Sequence, residues 1–99
     1  MTQETCEPGA VGFTRRVLIC NRKGLHARAA AKFVKLAGTF DAEVTVVRND
    51  IAVPGGSIMG LMMLAAGPGS ELELRAVGPA AETVLQALAK LIGDKFDED

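Results

Sequence analysis

Two stretches of this chain alternate polar and apolar residues, while others repeat apolar residues every three or four positions. A single short chain carrying both periods must mix strands and helices in one layered core. The alternation runs through residues 40–46, with Phe40, Ala42, Val44 and Val46 on one side, and again through residues 71–77. The helical period places Ala30, Phe33, Val34 and Ala37 on one stripe of a helix at 27–37. It places Ala81, Val84, Leu85, Leu88, Leu91 and Ile92 on another, opened by Gly78 and by Pro79 in its first turn. Between these lie a β-rich run at 16–20, a hairpin turn at Asn49 and Asp50 leading into 51–53, and a helix over 58–66 with Ser57 as its N-cap. Gly38 is expected to end the first helix in a left-handed cap. The order is β-α-β-β-α-β-α, which predicts an α+β open-faced sandwich with its helices over a sheet.

With 99 residues the chain holds one domain, here residues 14–93, flanked by a flexible tail at 1–13 and a frayed acidic end at 94–99. Residues 1–35 carry seven basic groups against two acids, and residues 36–99 carry four against ten. That asymmetry suits a basic face meeting an acidic partner or a phosphate, although a charge cluster by itself reads first as a solvated surface. The formal net charge of -1 argues against a nucleic-acid module. No apolar run reaches the ~20 residues of a membrane span, and no secretory signal is visible. Cys6 and Cys20 have no metal or redox spacing, which fits a cytosolic protein with reduced thiols. No metal or cofactor is expected: there is no second histidine, no paired cysteine and no Gly-rich nucleotide loop.

His26 is the only histidine, and it stands where a loop enters a helix. The first N–H groups of a helix lack intrahelical partners and carry the positive end of its dipole. A phosphoryl group on His26 would meet the N–H groups of Ala27 and Arg28, with the Arg28 guanidinium adding charge-assisted bonds. Gly24 lets the preceding loop turn, and Leu25 anchors it in the core. Reversible phosphoryl transfer suits such a place, because its catalysis is mostly positioning and charge stabilisation. A capping or core histidine is the plainer alternative, and spacing alone favours it.

The run NRKGLHARAAAKFV at residues 21–34 resembles the active-site signature of the HPr family, the histidine-containing phosphocarriers of the bacterial phosphoenolpyruvate-dependent phosphotransferase system. A second family signature is matched by GSIMGL at 56–61, and the likeness extends over residues 15–92. The resemblance implies a four-stranded antiparallel sheet with three helices on one face. It implies a monomeric carrier, rather than an enzyme with its own turnover, in which His26 accepts phosphate at its δ nitrogen from enzyme I and passes it to an enzyme IIA-type domain. Arg28 would be the family's active-site arginine. Ser57 would be the regulatory serine modified by HPr kinase/phosphorylase in many members, and Ile58, Met59, Leu61 and Met62 would form the docking patch. A non-catalytic docking module controlled through Ser57 is the other reading. Ala29 stands where many members have proline, and Gly60 replaces a common lysine. The segment 56–66 looks more like members of regulatory or nitrogen-related branches than like sugar carriers.

Overall fold

The computed structural model describes residues 12–97. The elements follow one another as β1 (Gly12–Leu18), α1 (Ala27–Ala37), β2 (Glu43–Arg48), β3 (Ile51–Pro54), α2 (Ile58–Met63), β4 (Glu71–Val77) and α3 (Ala81–Gly93), closed by a short 3-10 turn, Lys95–Asp97. The four strands form one sheet in the order β1-β4-β2-β3, and every neighbouring pair is antiparallel. Strand β4 is paired on both sides, and its alternation gives the sheet one covered and one open face: Leu72, Leu74 and Ala76 are buried, while Glu71, Arg75 and Val77 are exposed. Its buried residues face Val44 and Val46 of β2, which pair across the ladder with Ala76 and Leu74. The expected α+β open-faced sandwich is therefore the fold.

Both long helices bury the stripes their periods predict. Phe33, Ala30 and Ala37 of α1 and Val84, Leu85, Leu88 and Ile92 of α3 join one core with the sheet. Ala29 is buried as well, while Val34 and Leu91 are only partly covered.

The boundaries differ in instructive ways. Strand β1 begins at Gly12, inside the expected tail, because its backbone pairs along the whole of β4, from Gly12 opposite Val77 to Leu18 opposite Glu71. The remainder of that tail, residues 1–11, lies outside the described residues. Strand β2 starts at Glu43 rather than Phe40, since the Asp41 carbonyl accepts from Ala80 N–H and bends the chain before the ladder. Gly38 is right-handed, with φ -70°, and the chain leaves α1 through further helical-type bonds from Thr39 and Phe40. Pro79 precedes the N-cap Ala80 instead of occupying the first turn. Helix α2 stops at Met63, and Ala65 then turns left-handed at φ 53°. Asn49, at φ 56°, makes the two-residue turn between β2 and β3.

The C-terminal segment is the largest correction. Instead of fraying, Lys95, Phe96 and Asp97 take left-handed backbone angles that swing the Phe96 ring into the core, where it is fully buried. Lys32 Nζ donates to the Phe96 carbonyl, and Lys90 holds Asp94 at 2.8 Å, a bond and charge that raise the lysine's pKa. Glu98 and Asp99 lie outside the described residues. Truncating a buried phenylalanine removes its transfer energy and leaves a cavity. Phe96→Ala is expected to lower the unfolding free energy by about 3 kcal/mol. Urea denaturation followed by circular dichroism measures it; a loss below about 1 kcal/mol would mean that the ring adds little to the core.

Candidate functional site

Helix α1 begins because His26 leaves the helical path just before it. Its φ of -80° and ψ of -179° are those of an N-cap, and its carbonyl accepts the first helical bond from Ala30 N–H at 2.8 Å. Its side chain does not cap the helix, so the imidazole is not spent on that task. The ring is half-buried, and Ala27 and Arg28 are exposed beside it. No acidic side chain occupies the first turn of α1. The positive end of an 11-residue helix is thus available to an anion formed at His26. The predicted site residues His26, Ala27 and Arg28 follow one another at the start of α1.

The loop before His26 is more tightly built than its polar sequence suggests. Asn21 is fully buried, and its Nδ2 donates to the Gly24 carbonyl at 2.8 Å. Gly24 has φ +66°, and its N–H returns a bond to the Asn21 carbonyl at 3.2 Å. Leu25, buried as expected, donates its N–H to the Ala66 carbonyl at 2.8 Å. The loop therefore rests on the segment that follows α2. That segment is tied in turn by Arg48, whose Nη1 reaches the Leu64 carbonyl at 3.0 Å. Asn21 opens the signature at 21–34, but neither its task nor that of Arg48 can be seen in the sequence, because each acts on a main-chain carbonyl that no pattern of side chains reveals.

A family model described as "PTS HPr component phosphorylation site" matches residues 13–94. The chain belongs to the HPr family. HPr proteins are the phosphocarriers of the phosphotransferase system, and the general phosphocarrier role comes with membership. An HPr from Pseudomonas aeruginosa is 51% identical over 83 residues, covering 83% of this chain and 92% of that protein. The phosphocarrier protein NPr of Shewanella violacea is 45% identical over 84 residues, covering 85% of this chain and 92% of the relative. The crystal structure of HPr-C-His from Thermoanaerobacter tengcongensis superposes with a TM-score of 0.84 at 38% identity, covering 88% of this chain and 98% of that one.

The second HPr signature forms α2 and its cap. Ser57 Oγ accepts from Gly60 N–H at 2.9 Å, and Leu61 N–H completes the turn on the Ser57 carbonyl. Ile58, Met59 and Met62 are exposed, Met59 to 70%. Leu61 is not part of that surface. It is fully buried, because with Leu64 it forms the side of α2 that faces the core. Met63, at 73% exposure, belongs to the outer face instead. Four large apolar side chains of one short helix are thus open to water. Among the described residues no group of histidine, cysteine or acidic side chains could hold a metal ion. Cys20 is an exposed free thiol whose Sγ donates to the Ile92 carbonyl at 3.3 Å.

The cap predicts its own removal. Ser57→Ala leaves the Gly60 N–H without its side-chain acceptor and is expected to cost about 1 kcal/mol. Thermal unfolding of the two proteins measures it, and an unchanged midpoint would mean that water replaces the hydroxyl at no cost.

Proposed function

We propose that His26 takes a phosphoryl group from phosphorylated enzyme I onto Nδ1 and surrenders it to an enzyme IIA-type domain. The carrying observation is the half-buried imidazole set at the N-cap of α1 and not used as the cap. The imidazole nitrogen attacks phosphorus; the N–P bond forms as the bond to the donor breaks, and the electron pair leaves with the donor. The N–H groups of Ala27 and Arg28 and the Arg28 guanidinium meet the negative charge that arrives. Dipole stabilisation at a helix end is on the order of 0.3–2 kcal/mol, enough to orient the phosphoryl group without trapping it. Transfer onward is the same exchange with the roles reversed. The protein is returned unchanged at each cycle, as a carrier rather than a catalyst with its own product. We place it in the cytosol, in keeping with the exposed free thiol of Cys20.

Ile58, Met59, Met62 and Met63 supply the apolar part of the docking face. Flexible methionines suit a carrier that must fit more than one partner in turn. Phosphorylation of Ser57 by an HPr kinase/phosphorylase would add about -2 charge within that face and weaken docking to acidic partners. The test is incubation with enzyme I and phosphoenolpyruvate, followed by intact-mass measurement and site mapping. A single phosphoryl group on His26, labile to heat and acid and stable to base, is expected. Failure of the wild-type chain to take up phosphate from active enzyme I would overturn the proposal.

A further inference from the structure

Among the described residues, Asn21 is the polar side chain that the core encloses completely. Burying a carboxamide is costly unless its hydrogen bonds are made, so an apolar residue would serve better if packing were the only demand. What Asn21 holds is specific. Its Nδ2 binds the Gly24 carbonyl, while the N–H of Leu25 binds the Ala66 carbonyl, each at 2.8 Å. The Gly24 carbonyl and the Leu25 N–H are the two ends of one peptide unit. That plane is therefore gripped on both sides and cannot turn about its flanking bonds without breaking one grip. His26 follows immediately. Its backbone is fixed on one side by α1, which starts on its carbonyl, and on the other by this clamped peptide.

We infer that Asn21 is a positioning residue for phosphoryl transfer, setting the angle at which the His26 imidazole is presented to the donor. The inference rests on the phosphocarrier reading of His26. Asn21 touches no phosphate; it acts through the Gly24–Leu25 peptide. Loss of the grip should leave the docking face of Ile58, Met59, Met62 and Met63 in place while letting the imidazole wander. Transfer depends steeply on such alignment, where a displacement of about 1 Å can cost roughly 100-fold.

The test measures this protein as the substrate of enzyme I under steady state, with wild type, Asn21→Ala and Asn21→Asp. The aspartate keeps the shape of the side chain but, when ionised, sets an acceptor against the Gly24 carbonyl in place of a donor. Both variants are expected to lower kcat by about tenfold or more while KM stays within about twofold. A purely structural role would lower the unfolding midpoint and leave kcat unchanged wherever circular dichroism reports a folded protein; that outcome overturns the inference. Should both variants fail to fold, Asn21→Ser is read the same way. The wild type supplies a measurement free of substitution: the Asn21 side-chain amide protons should exchange slowly with water in both the phosphorylated and unphosphorylated protein. Rapid exchange in either state also overturns it. Wild-type labelling at His26 is scored in the same experiment. Its absence would sink the phosphocarrier reading, whereas normal wild-type labelling with unimpaired variants would sink only the role of Asn21.

Discussion

His26→Ala is expected to yield a folded protein that accepts no phosphoryl group from enzyme I. The two halves of that expectation have separate grounds. Uptake should vanish because His26 is the sole histidine, so no other imidazole can substitute. Folding should survive because the His26 side chain contributes no cap bond to α1. The bond that starts the helix comes from the His26 carbonyl, which alanine retains. The stability change should stay within about 1 kcal/mol, because the half-buried ring is neither the helix cap nor part of the enclosed core. Intact mass after incubation with enzyme I and phosphoenolpyruvate reads the first half, and urea denaturation reads the second. A variant that still gains a phosphoryl group would place the accepting residue elsewhere. If the variant keeps its biological effect despite taking no phosphate, the docking reading through α2 would replace the relay.

What could be read ahead of the structure follows from which forces leave a pattern in sequence. Burial of a regular element does. The alternation of Leu72, Leu74 and Ala76, and the stripes through Phe33 and Leu88, mark the sheet and both long helices because each repeats at its element's own period. The placement of His26 was legible for the same reason: the stripe beginning at Ala30 dates the helix start, and Gly24 marks the turn before it. Apolar identity without a period misleads. Leu61 and Met63 are both apolar, and only the packing of α2 decides that the first is buried and the second open to water. Phe96 stands four residues after Ile92, one more step of the α3 stripe, but the charged residues around it read as an exposed end, so its role as a core plug is masked. Strand β1 extends to Gly12 on the strength of main-chain pairing with β4, and its exposed side chains do not announce it. Asn21 and Arg48 belong to the same class, since each ends on a carbonyl.

The stability of the His26 loop depends on the absence of a side chain at Gly24, and Gly24→Ala should expose this. A left-handed φ of +66° costs an L-residue roughly 1–2 kcal/mol. The added Cβ would then lie 2.5 Å from the Ala66 carbonyl oxygen and 2.9 Å from Gly67 Cα. Both are main-chain atoms and cannot swing aside as a flexible side chain would. The loop and the segment after α2 must separate, which loses the Leu25 bond to Ala66, a further ~1 kcal/mol, and disturbs the buried Leu25. The combined loss is expected to be about 3–4 kcal/mol, near the upper range for single substitutions. Gly67→Ala is the control, since a Cβ there meets nothing within 4 Å. It should change stability by no more than about 0.5 kcal/mol. Urea denaturation of both variants separates the two sites. Equal, small effects would mean that the loop and the α2 segment are not in close contact in solution. A large loss at Gly24 alone would show that the His26 loop and α2 share one support, so that the imidazole and the exposed apolar face of α2 are held in register by the same few main-chain contacts.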